Sequence, residues 1–101
     1  MGSRLDLQTL LEGLHEGVSV YFQPPPNVMM SYPAIVYNRD YLATEFADNK
    51  PYANKVRWSV TLIDPDPDSP LNALLASLPL MRYVRHYTHE SLNHDIYDVY
   101  F

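Results

Sequence analysis

"KVRWSVTLIDPDPDSPLNALLASLP", Lys55–Pro79, changes from one periodicity to another without a break. Val56, Trp58, Val60 and Leu62 fall on alternate positions, with Arg57, Ser59 and Thr61 between them. A period of two puts the first set on a packed face and the second toward water or a partner, so this segment reads as a strand. Beyond the prolines, Leu71, Leu74, Leu75 and Leu78 recur at i, i+3, i+4 and i+7, the apolar stripe of a helix. Asp68 or Ser69 caps that helix, Pro70 suits its first turn and Pro79 stops it, which predicts a helix over Ser69–Leu78 packed on the strand face of Val56, Trp58, Val60 and Leu62.

The aspartates between strand and helix, Asp64, Asp66 and Asp68, alternate as in a calcium loop. Such a loop requires glycine at its sixth position and a bidentate glutamate at its twelfth. Counted from Asp64, those positions hold Ser69 and Leu75, and Pro65 and Pro67 stiffen a backbone that must wrap an ion. The three carboxylates are also too close in sequence to converge readily on two metals in a nuclease. Cap and turn residues are the better reading.

Working outward toward the N-terminus, residues Arg39–Lys55 show no sustained period, and a segment this long reads as a functional loop or an extended β-arm. It holds Tyr41, Leu42, Phe46 and Tyr52, apolar groups that a solvated loop does not need. These four are the candidate contacts to a neighbouring subunit or partner. Before it, "AIVYN", Ala34–Asn38, reads as a strand, and "PPPNVMMSYP", Pro24–Pro33, as an exposed, stiff connection. Val18, Val20 and Phe22 alternate in another short strand. Leu7, Leu10, Leu11 and Leu14 form the stripe of a first helix, with Ser3 as cap, Asp6 in the first turn and Gly17 as its end.

Toward the C-terminus, Leu80–Tyr87 and His94–Phe101 read as strands joined by the hairpin loop "THESLN", Thr88–Asn93. The order α-β-β-(loop)-β-α-β-β predicts a single α+β domain over residues 1–101, a mainly antiparallel sheet covered on one face by two helices.

This hairpin also gathers His86, His89 and His94, and cross-strand pairing of His86 with His94 would begin a zinc site, with Asp95 or Glu90 as a further ligand. The set is incomplete, and histidines flanking a polar turn are the simpler reading. No G-x-S-x-G, G-x-x-x-x-G-K or G-x-G-x-x-G occurs in a chain with three glycines. Tyr83, Tyr87, Tyr97, Tyr100 and Phe101 could stack on bases, but a formal net charge of −5 gives no basic groove to hold a phosphate backbone. Sheet core and subunit contact suit them better. No catalytic residue, cofactor or functional metal is therefore expected.

The chain has 101 residues, 47% of them hydrophobic and 19% charged, which fits a globular fold rather than disorder. A domain this small is marginally stable alone and gains from oligomerisation. The absence of cysteine excludes a disulfide scaffold, a thiolate zinc site and a cysteine nucleophile, and fits a reducing compartment. No apolar run approaches the roughly 20 residues of a membrane span, and no basic start with an apolar stretch marks a signal peptide.

Three ordered stretches, "VYFQPPPNVMMSYPAIVY" (Val20–Tyr37), "FADNKPYANKVRWSVTLIDPDPDSPL" (Phe46–Leu71) and "LPLMRYVRHYTHESLNHDIYDVYF" (Leu78–Phe101), resemble the tail terminator, or tail completion, proteins of long-tailed bacteriophages. The resemblance runs over nearly the whole chain from Val18 onward and carries no catalytic signature. It implies a small structural virion subunit, at times labelled a minor capsid protein, that forms a hexameric ring. The ring caps the completed tail tube, ends its polymerisation and joins the tail to the head through a head-closure or neck protein. The implied partners are further copies of the chain, the major tail tube protein and the neck protein, with viral DNA passing through unbound and no membrane involved. The implied place is the tail–neck region of the virion, reached from the host cytoplasm during assembly. The acidic balance suits such a conduit, because a negative lumen lets DNA slide. The alternatives are a head-closure or neck connector protein and, from a different class, a small metal-dependent hydrolase using the histidine and aspartate clusters.

Overall fold

The structure, a computed structural model, describes residues 4–24, 29–47 and 50–100, and over residues 40–55 the backbone alone. In chain order the elements are α1 (Arg4–Glu12), β1 (Ser19–Phe22), β2 (Ala34–Ala47), β3 (Lys50–Asp64), α2 (Leu71–Ala76), β4 (Met81–His89) and β5 (Leu92–Tyr100). The five strands form one sheet in the order β1-β2-β3-β5-β4. β1 pairs parallel to β2, from Ser19 opposite Ala34 to Phe22 opposite Tyr37, and every other pairing is antiparallel. The expected α+β fold is what the chain adopts.

Register explains the core. Ile35 lies opposite Leu62, Tyr37 opposite Val60, Val60 opposite Tyr97 and Trp58 opposite Val99, so all share one face of the sheet. Leu7 and Leu11 of α1 and Leu71 and Leu75 of α2 are buried against that face. Val56, Leu74 and Leu78 are partly buried around it. The helices therefore pack where the period-two strand predicts, with α1 toward β1 and β2 and α2 toward β4 and β5. Phe22, Tyr37 and Trp58 meet at ring-centroid distances of 5.1 to 6.2 Å, within the range of favourable aromatic pairs. The Trp58 indole N–H is buried with no acceptor among the described residues, and nothing in the structure accounts for it.

The element ends differ from the expectations. α1 stops at Glu12, not at Gly17; Gly17, at φ 84°, instead turns the chain into β1. Ser3 lies outside the described residues. α2 is shorter than Ser69–Leu78, because Pro70 takes the N-cap position and the chain already leaves the helix at Ser77. Ser69, one residue earlier, still accepts the Leu71 N–H on Oγ at 3.3 Å. The C-terminal hairpin turns on Glu90 and Ser91 alone, at φ 52° and 64°, so "THESLN" is mostly strand. Two positive φ values in succession are the signature of the tight type I′ turn whose twist matches the strands.

The described residues within Arg39–Lys55 form a β-arm, the second of the two forms expected. β2 and β3 remain paired out to Ala47 opposite Lys50. The β1 partnership ends at Tyr37 and the β5 partnership at Arg57, so beyond those points the two strands run on as a ribbon. Register shifts between Arg39 and Tyr41 and between Glu45 and Phe46 interrupt it. Each shift reverses the phase of the side-chain alternation, which is why no period is visible in the sequence there.

Candidate assembly surface

Two features lie outside the packed face: the ribbon and the opposite face of the sheet with its β4 edge. The four candidate contact residues all belong to the ribbon. Tyr41 and Leu42 lie in β2 opposite Arg57 and Val56, and Phe46 lies opposite Pro51. Tyr52 falls in β3 between Ala53 and Pro51, at the second register shift, with no cross-strand partner of its own. Their side chains are outside the described residues.

The second face of the sheet presents Val36 and Asn38 on β2, Arg57, Ser59 and Thr61 on β3, and His94, Ile96 and Asp98 on β5. Both helices bury their leucines on the other side, so among the described residues no helix covers this face. β4 forms one edge of the sheet, and from Arg82 to His89 every residue is exposed. A bulge between Tyr83 and Arg85 leaves Val84 without a partner on β5. One consequence is that Arg82, opposite Asp98, and Arg85, opposite Ile96, lie on the same face although three positions apart. Arg82 bonds Asp98 at 3.0 Å. Arg85 stands over the Tyr87 ring at 5.3 Å, and Tyr87 stacks on His94 at 4.5 Å.

The zinc constellation does not assemble. His86 pairs with Asp95 and His94 with Tyr87, so the first and last histidines sit on opposite faces. His86 Nε2 lies 3.2 Å from the Asn93 side-chain oxygen. The aspartates are used by their own loop. Asp64 accepts the Asp66 N–H and Asp66 accepts the Asp68 N–H, both at 2.9 Å, while Asn93 donates to the Asp64 and Pro65 carbonyls at 3.2 Å. Successive turns of this kind steer the chain from β3 into α2. Among the described residues no group of three acidic or imidazole side chains is arranged to hold a metal, and no helix is long and apolar enough to cross a membrane.

A polar cluster that sequence reasoning missed joins α2 to the sheet. The buried Asp95 carboxylate accepts Asn72 Nδ2 and the Tyr83 hydroxyl, both at 3.1 Å. Tyr97 donates to the Asn72 side-chain oxygen at 2.6 Å. Loss of water is the largest cause of the upward shift of both phenols. Asp95's hydrogen bond and charge add to that of Tyr83, and the charges of Asp95 and Tyr83 add to that of Tyr97, which is pushed up to about 12. The signal in the sequence was an Asp on the same alternate positions as Tyr97 and Val99, the set that faces the core.

Comparison of the chain with protein-family models and with curated proteins gave no match.

Proposed function

We propose that this chain is a structural virion subunit that assembles into a ring on the end of a phage tail tube, stops its growth and joins the tail to the neck of the head. The observation that carries this reading is the ribbon of β2 and β3, which leaves the sheet at Tyr37 and Arg57 with no third strand beside it among the described residues. A two-stranded ribbon is marginal in water, so it calls for a covering partner. A ring of identical copies supplies one at every position, because a head-to-tail contact that closes satisfies each arm in turn. The resemblance of the three ordered stretches to tail terminator proteins and the net charge of −5 support the same reading. In this role the chain works without catalysis, cofactor or metal, as one copy in a hexamer, against the tube protein below and a neck protein above.

The double change Phe46→Ala with Tyr52→Ala tests this. The expected result is a monomer folded by circular dichroism that forms no ring, with phage tails that overgrow or fail to join heads. Normal rings and tails of normal length on heads would show that the arm is not the assembly element. Unfolding would place both aromatics in the subunit's own core.

A further inference from the structure

We infer that the free edge of β4 is the receiving surface for the arm of a second copy of this chain, which joins the sheet along that edge. This rests on the ring reading above and names the surface that reading leaves open. β4 spans nine residues, Met81–His89, with β5 on one side and, among the described residues, no strand on the other, so a row of backbone donors and acceptors faces outward. Such an edge is a template for a further strand. The arm offers one, since β2 beyond Asn38 is paired only to β3.

Charge selects the partner. β4, "MRYVRHYTH", carries Arg82, Arg85, His86 and His89 and no acid. β2 beyond Arg39, "DYLATEFA", carries Asp40 and Glu45 and no base. Pairing β4 with another β4 sets base against base, and pairing the β2 strands of two arms sets acid against acid; both are penalised across strands. The contact of the arm's β2 strand with β4 is complementary, and it joins two different surfaces, as a ring requires. Within its own chain Arg85 meets the Tyr87 ring and, among the described residues, no carboxylate. Tyr83 and Val84, half and 44% exposed, supply apolar area at the bulge.

The experiment uses the full chain, which has no cysteine of its own. Arg85→Glu is compared with wild type and with the charge swap Arg85→Glu/Glu45→Arg by sedimentation velocity across concentration, with circular dichroism as the check on folding. The expected result is a folded Arg85→Glu chain whose assembly midpoint rises at least about tenfold, and its recovery in the swap. In parallel, Thr44→Cys and Val84→Cys chains are oxidised separately and mixed. Disulfide dimers in the mixture but in neither chain alone are expected. Rings of wild-type strength from Arg85→Glu, or cross-linking of either cysteine chain to itself alone, overturn the β4 assignment and leave the ring reading standing. Wild type that stays monomeric both alone and with tail tube protein overturns the ring reading, and this inference falls with it.

Discussion

Tyr97 shows what a single side chain contributes when its hydroxyl ends in a buried polar cluster. It lies 2% exposed on β5, bonds Asn72 of α2 and sits beside the Asp95 charge. Its phenol is held neutral up to about 12, against an ordinary value of 10. A group whose folded pKa is raised stabilises fully below its unfolded pKa and loses that contribution as pH climbs through the folded one. Stability is therefore expected to hold below pH 10 and to fall between pH 10 and 12. Tyr97→Phe removes the titration, so its urea midpoint should decline less steeply over that window than the wild-type midpoint does. Parallel declines would show that other tyrosines carry the alkaline transition. At neutral pH the same change should cost stability, because the half-buried Asn72 amide loses a partner.

The two helices are short, and their stability comes from the faces they bury rather than from their length. Leu75 is fully buried, whereas Leu74 lies at the margin of the core. Leu75→Ala is expected to cost about 2–5 kcal/mol, and Leu74→Ala clearly less, read from urea midpoints at constant slope. Equal costs would mean that α2 is rotated about its axis from the orientation described. This orientation was legible in the sequence, because Leu71, Leu74, Leu75 and Leu78 and the alternation of Val56, Trp58, Val60 and Leu62 are simple periods. The ribbon was legible only as an alternative to a loop, since the register shifts at Asp40 and Tyr52 scramble the alternation on which the eye relies. The two-residue turn at Glu90 and Ser91 was hidden because neither residue is the glycine or asparagine that positive φ normally selects. The Asp95 cluster needs long-range register to see, because Asn72 and Tyr83 reach it from separate elements.

At the scale of the molecule, the Cα radius of gyration is 14.8 Å, above the ~13 Å of a compact chain of about 100 residues. The long axis measures 51 Å against 29 and 24 Å for the others. Cutting the ribbon back by joining Leu42 to Val56, which are cross-strand partners, through an Asn-Gly turn should therefore leave a folded domain. Its thermal midpoint is expected to stay within a few degrees of wild type while its assembly is lost. A truncated chain that fails to fold would show that the ribbon belongs to the core.

The strand order β1-β2-β3-β5-β4 also has a kinetic consequence. β2 with β3 and β4 with β5 are hairpins closed by short connections, whereas β3 meets β5 only after the whole of α2 and β4 has been made, Arg57 pairing with Tyr100. Local pairs form in microseconds, and distant ones wait on the entropy of closing the intervening chain. The barrier to folding should accordingly be the docking of one finished hairpin on the other through Val60 and Tyr97, with α1 adding afterwards. Val60→Ala is then expected to slow refolding, and Leu7→Ala mainly to hasten unfolding, in stopped-flow urea chevrons. The opposite assignment of the two limbs would place the nucleus at the N-terminal helix, and a nascent chain could then begin to organise before its last two strands had been synthesised.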